Sequence, residues 1–457
     1  MVTTRSSGVG SRALPAIVIG SALVVAVALR FAFVNEVNSD YRVFLSPWYD
    51  ALVAGGGFRA VGQEIGNYNP PYLYLLAAAT YLPIPKIVAI KLVSMAFDVV
   101  LAAFAALIVR RRFEIWPSVL VFGVVLFAPT VLLNSGYWGQ CDSIYAAFAV
   151  GSVYFLLWGR PWWACVFFGL ALSFKLQAIF LLPALLIVLV VNRQRLVALL
   201  AVPATFLALL LPAALAGRNW HSLLAVYPDQ VTGGGAGNGG GLGVAGGGLG
   251  GGTGALGGSS AGLGTWTRNA PTVFQWVGGS TGWLVFGLIT AAALIVGTGA
   301  LAWRFRPLTE PQIVILVTAT VLAVPFFLPE MHERYFYLAD VLTIVTAFYL
   351  RRFWPVAVAV SASSLLAYAP FLWRATPVPL PLVSFVEFLA VVATLVAMVH
   401  VLTTPDSRWI RRGRTGGSTF QHVRDRTPAG TGSPAGTGQP FEWPPSSTSS
   451  QPGMIGR

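Results

Sequence analysis

The sequence predicts an all-α, polytopic membrane protein, a bundle of about twelve transmembrane helices. Three observations predict it. Apolar residues make up 56% of the chain and the mean hydropathy is +0.72. Only 10% of residues are charged. Apolar runs of about 20 residues, enough to span a hydrocarbon core of about 30 Å, recur with arginines grouped between them. Gly (49) and Pro (30) are too few and too local for a fibrous or wholly disordered chain.

In chain order, Arg5 and Arg12 precede an apolar run over 13–34 that is too long for a signal-peptide core and lacks a small-residue cleavage site. It reads as a first span with the N-terminus in the cytoplasm. A long, polar first outer loop follows at 33–72, and 71–82 is apolar over only about a dozen residues, which reads as a short helix lying in the interface. Further spans are expected at 84–109, 116–133, 143–158, 161–174, 178–191, 196–216, 283–303, 313–328, 335–350, 354–373 and 381–402. The two around Lys175 are short, as in a hairpin whose tip stops below the outer surface. Residues 1–402 thus form one transmembrane domain. The Gly-rich stretch 233–264 reads as a flexible outer loop and 403–457, rich in Pro, Gly, Ser and Thr, as a disordered cytoplasmic tail.

The net charge of +13 comes from 29 Lys and Arg against 16 Asp and Glu. Its basic residues group as Arg110 to Arg112, Arg193 with Arg195, Arg304 with Arg306, Arg351 with Arg352, and Arg408 to Arg414, between apolar runs. That is the positive-inside pattern of a multi-pass protein with both termini cytoplasmic, and not a nucleic-acid footprint. Alternating the spans from a cytoplasmic N-terminus puts every arginine cluster inside and every polar motif outside; one helix more or fewer would mix them. Cys141 and Cys165 have no metal or redox spacing, and no disulfide framework is expected.

The polar motifs each carry a bland and a sharp reading. Asp40, beside Tyr41 and Arg42, is either a solvated loop carboxylate or a general base at the membrane surface, able to take a proton from an attacking hydroxyl. Glu36, Asp50 and Glu64 in the same loop read as solvated background. Asp142, in the stretch 134–142, is either a helix cap or, with Trp138 and Gln140, part of a sugar site offering an aromatic face and polar groups. Lys175, beside Gln177, either snorkels or holds a lipid-linked phosphate. Glu330, His332, Glu333 and Arg334 are either an ion-pair network or functional groups at the mouth of a span, with Asp340 about 9 Å deeper at 1.5 Å per residue. Lys91 and Asp98, seven apart on one helix face, read as a structural pair. No spacing signals a metal: His332-Glu333 lacks the zinc-protease pattern, and Asp40 has no second acid in an Asp-x-Asp arrangement.

Five of these stretches together, Asn67-Tyr68-Asn69-Pro70-Pro71-Tyr72, Trp138-Gly139-Gln140-Cys141-Asp142, Phe174-Lys175-Leu176-Gln177, Asn269-Ala270-Pro271-Thr272 and His332-Glu333-Arg334-Tyr335-Phe336-Tyr337, resemble the motifs of bacterial integral-membrane mannosyltransferases related to GPI mannosyltransferase II, within the GT-C superfamily. The resemblance runs in the same order over most of 33–350. It implies a GT-C-like fold whose first outer loop bears the catalytic acid. It also implies transfer of a sugar, mannose in the first instance, from a polyprenyl-phosphate-sugar donor to a glycolipid, glycan or protein acceptor on the extracytoplasmic side of the cell membrane. No cofactor is implied, and a divalent metal is left open. By position Asp40 matches the catalytic acid, acting as general base in an inverting transfer, with Lys175, Arg334 and His332 as partners for the leaving phosphate. Asn67, Tyr68, Asn69, Trp138, Gln140, Asp142, Lys175, Gln177, His332, Glu333, Arg334 and Tyr335 match substrate binding by association. The Gly-rich insertion and the long tail depart from the pattern.

The alternative class is a transporter or lipid flippase for a polyprenyl-linked or polar substrate, which would show an internal repeat with helices broken at the bilayer midplane. The sequence shows no repeat, and its polar groups gather at one face.

Overall fold

The computed structural model describes residues 10–232, 267–277, 280–404 and 408–411. They are mostly helical: α1 (Gly10–Ala32), α2 (Ser46–Ala54), α3 (Pro70–Ala79), α4 (Lys86–Arg112), α5 (Ile115–Leu126), α6 (Pro129–Leu132), α7 (Asp142–Leu157), α8 (Pro161–Phe174), α9 (Leu182–Val191), α10 (Ala201–Leu215), α11 (Trp220–Thr232), α12 (Thr281–Arg304), α13 (Glu310–Phe327), α14 (Tyr337–Tyr349), α15 (Trp354–Leu372) and α16 (Leu380–Thr403). Two short strands, β1 (Thr267–Arg268) and β2 (Met331–His332), pair in parallel.

Seven of these helical segments are long and apolar enough to cross a membrane, and an eighth is formed if the bent pair Ile115–Leu126 and Pro129–Trp138 counts as one span. The bend of 51° falls at Ala128, whose extended backbone is what a residue preceding a proline adopts. The remaining four expected spans are helical but shorter: Asp142–Leu157, Pro161–Phe174, Leu176–Val191 and Tyr337–Tyr349. The chain is thus a helical bundle with the composition of a polytopic membrane protein.

Burial follows the apolar pattern. α13 is apolar all round and lies at the centre, with 89% of its best apolar window buried, against 17% for α1 and for α12 at the periphery. α4, α5, α7, α8 and α10 pack in one group and α13 to α16 in another, with α14 touching α4, α5 and α7 to join them. The outward residues of the peripheral helices, such as Val24, Leu200, Leu215, Ile289 and Val296, are exposed and apolar, as a lipid-facing surface requires.

The bundle has two chemically different ends. At one, Arg111 pairs with Glu310 and lies over the Trp158 ring, the Arg112 guanidinium donates to the Arg411 carbonyl, and the Asn192 side chain accepts from the Leu308 amide. The arginine-rich turns are therefore neighbours. At the other end gather the loops after α1, α6, α8 and α13, with the segment 267–277. The two-face sorting expected from the sequence is present in the packing.

Several expectations are corrected. Residues 70–79 form the expected short helix, yet it is packed into the bundle with Tyr72, Leu73 and Leu76 fully buried, and does not lie on an open surface. Lys91 and Asp98 are both buried but are not each other's partners. Lys91 Nζ donates to the carbonyls of Phe33, Glu36 and Tyr137 at 3.2, 2.8 and 2.9 Å. Asp98 instead pairs with Arg30 Nε of α1 at 2.8 Å and accepts from the Ser135 hydroxyl. The tail is not structureless from 403 onward: Leu350 and Ile410 bridge, and the Arg411 amide donates to the Tyr349 carbonyl at 2.8 Å. The Gly-rich stretch 233–264 and the rest of the tail lie outside the described residues.

Candidate functional site

At the end opposite the arginine turns lies a cavity of about 330 Å³, within the range of small-molecule sites. Its lining draws on all five sequence motifs: Asn67, Tyr68 and Asn69; Gln140; Lys175 and Gln177; Asn269; and His332, Glu333, Arg334 and Tyr335, with Asp40 beside them. These stretches are separated by up to about 270 positions and meet because each is the turn between two helices at the same end of the bundle.

Asp40 is placed by two π-helical turns. Asn38 caps the first, its Oδ1 accepting from the Tyr41 amide at 3.0 Å, so that Asp40 leads into the wide turn Tyr41–Leu45. The second, Leu133–Trp138, ends at Gly139, whose left-handed backbone (φ 81°) reverses the chain. That reversal points Trp138 and Gln140 at the same target. Trp138 Nε1 and Gln140 Nε2 both donate to Asp40 Oδ2, at 2.9 and 2.5 Å. Oδ1 accepts no hydrogen bond among the described residues. Asn38 Nδ2 closes the arrangement by donating to the Trp138 carbonyl at 2.6 Å.

Trp138 and Asp142, expected as sugar contacts, are not among the residues that line the cavity. The Trp138 ring is fully buried, stacked on Phe371 at 4.6 Å and edge-on to Tyr368. It presents its N–H to Asp40, and the Arg334 guanidinium lies 5.4 Å from its ring centre. Asp142 opens α7 without capping it; its Oδ1 pairs with Lys175 Nζ at 2.5 Å and its Oδ2 accepts from Asn134 at 2.8 Å. Lys175 is correspondingly no snorkelling lysine but 4% exposed, in the break between α8 and the helical segment after it, over the Tyr68 ring. Burial alone would lower its pKa, yet Asp142 more than offsets this and keeps it charged.

The 330–335 turn supplies a further part of the wall. Arg334 donates to Glu333 at 3.0 Å and lies 3.9 Å from Asp142, and its buried Nε has no hydrogen-bond partner. Burial pushes Glu333 up to about 7, with Arg334 opposing. Burial, with Arg334 and Arg268 nearby, pulls His332 well below its ordinary value and keeps it neutral. The expected ion-pair network and the expected functional cluster are thus one set of groups. Asp340 lies outside the cavity, accepting from Ser364 at 2.8 Å. Asp50 pairs with Lys86 at the surface, in keeping with its background reading.

The sequence reading missed Tyr227 and Gln230 of α11, Arg268, and the apolar wall of Phe44, Trp48 and Phe371. Gln230 ties α11 to the first loop by donating to the Asn67 carbonyl at 2.6 Å. It also missed Asn38, whose place two residues ahead of Asp40 is a cap signal, and Arg30, whose charge inside an apolar run was a signal in itself. No group of three or more His, Cys, Asp or Glu side chains is gathered for a metal ion among the described residues.

No family model matches the chain, and no curated protein matches it.

The chemistry on offer is a half-buried carboxylate with one bare oxygen, sharing with Lys175 and Arg334 a cavity lined by amides and aromatic rings. It can remove a proton at one side while stabilising negative charge at the other.

Proposed function

We propose that the protein is a glycosyltransferase that moves a sugar, mannose in the first instance, from a polyprenyl-phosphate-sugar donor to a glycolipid, glycan or protein acceptor. The observation that carries the reading is that Asp40, Lys175 and Arg334 line one cavity at the end of an apolar bundle. The arginine-rich end faces the cytoplasm with both termini, by the positive-inside rule, and the site opens on the extracytoplasmic side of the cell membrane. A GT-C-like membrane fold accords with the first outer loop supplying the base.

Asp40 Oδ1 takes the proton of the acceptor hydroxyl as that oxygen attacks the anomeric carbon. The bond from carbon to the acceptor forms on one face, and the bond to the phosphate oxygen breaks on the other with its electron pair, so configuration inverts. The phosphate is a good leaving group, and its charge is met by Arg334 and Lys175 without a general acid. Trp138 and Gln140 are positioning residues: by holding Oδ2 they aim Oδ1.

Purified protein presented with a panel of radiolabelled polyprenyl-phosphate sugars should transfer one of them. Transfer from a nucleotide sugar with no lipid donor present would count against the reading. Trp138→Phe, which keeps the stacked ring and removes one hydrogen bond to a charged oxygen, should lower kcat by about ten- to a hundredfold with KM for the donor little changed. A fall in donor affinity instead would return Trp138 to the binding surface.

A further inference from the structure

Every cation of the cavity already has a carboxylate beside it. Lys175 is matched by Asp142, Arg268 by Glu330 at 3.6 Å, and Arg334 by Glu333. With Asp40, the three cations of the lining meet four carboxylates, two of which, Asp142 and Glu330, stand behind the lining, so the cavity and its immediate surroundings carry one net negative charge before any ligand enters. A phosphate diester would add a second in surroundings that screen charge poorly.

The carboxylates are not equally committed. Asp142 has both oxygens engaged, by Lys175 and by Asn134. Glu330 belongs to the pair with Arg268, whose side chain is half exposed. Glu333 is 2% exposed, and its hold on Arg334 is one hydrogen bond, with His332 Nδ1 no nearer than 3.9 Å. Arg334 meanwhile keeps its buried Nε without a hydrogen-bond partner, 3.9 Å from Asp142 Oδ2, and its guanidinium presents a two-pronged fork to phosphate oxygens.

We propose that Glu333 is a place-holding anion on Arg334, and that a phosphate diester entering the cavity takes over the guanidinium while the displaced Glu333 carboxylate takes up one proton. The proposal rests on the reading of the ligand as a phosphate-linked donor and deepens it. Displacement without protonation would leave two buried anions side by side. Protonation leaves Glu333 a neutral acid and restores the charge the empty cavity had.

The other groups facing Arg334 and Glu333 are Asp40 from the turn after α1, Asp142 from α7, Lys175 after α8, Tyr68 from the first loop, and His332 and Tyr335 beside them. His332 is held neutral, while Lys175, Tyr68 and Tyr335 are raised away from neutrality. Glu333 itself is pushed up to about 7 by burial, so the proton is taken up in the physiological range.

Farnesyl methyl phosphate, a diester whose single charge does not titrate near neutrality, is a suitable probe for calorimetry on the full chain in detergent. At pH 8, titrations in two buffers of different ionisation enthalpy should show close to one proton bound per probe. Kd should rise toward about tenfold per pH unit above neutrality. Glu333→Gln should bind with no proton uptake and a flat pH profile. Probe binding by the wild type without proton uptake, or uptake that survives in Glu333→Gln, overturns the place-holding role and leaves the donor reading standing. No binding at any pH overturns both.

Discussion

Asp40→Asn should abolish the proposed sugar transfer, to below about a hundredth and as far as a ten-thousandth of the wild-type rate, while the protein inserts, folds and binds donor as before. That range is what a positioned general base contributes. The amide keeps the shape of the carboxylate, and its oxygen can still accept from Trp138 Nε1 and Gln140 Nε2. What it loses is the basic atom facing the cavity. The measurement is single-turnover transfer from a radiolabelled polyprenyl-phosphate sugar beside a donor-binding assay. A variant that binds donor and still transfers at near the wild-type rate removes Asp40 from the chemistry.

Arg30→Met lowers the stability of the protein by about 3–5 kcal/mol, the usual result of removing one member of a buried ion pair. Arg30 and Asp98 are 2% and 0% exposed and meet at 2.8 Å. Arg30 also donates to the Leu126 carbonyl at 2.9 Å, which ties α1 to the end of α5 ahead of the bend. The variant leaves Asp98 without a counter-ion in the bundle interior. The double variant Arg30→Met with Asp98→Asn should recover much of the loss, because no buried charge is then left over. Thermal unfolding in detergent reads both. An unfolding midpoint unchanged by Arg30→Met would show that the pair contributes nothing net.

Much of this arrangement was legible in the chain. Runs of apolar residues mark where helices lie because lipid and core make the same demand on them, and the arginine turns separate the two ends. Asp40, Lys175, Gln177 and the His332 to Tyr335 stretch stood out because polar groups are rare in such a chain, and all reach the cavity. What stayed hidden is whatever depends on direction. Trp138 and Gln140 lie two apart in the sequence, and only the left-handed turn at Gly139 reveals that both aim at Asp40. Lys91 and Asp98 share a helix face by spacing, yet each found a stronger partner from another segment, which periodicity within one helix cannot disclose. Tyr227 and Gln230 went unnoticed because α11 is too short and too polar to register as a span.

Lys91 bears on the site from a distance. Its ammonium group gathers carbonyls from both ends of the Phe33 to Glu36 turn and from Tyr137, much as a bound cation would knot three pieces of chain together. The turn leading to Asp40 and the turn carrying Trp138 therefore share one anchor on α4. Asp40 and the two groups that donate to it are thereby tied to the same point of α4. The parts of the lining that come from α11 and the β1–β2 pair have no share in that knot.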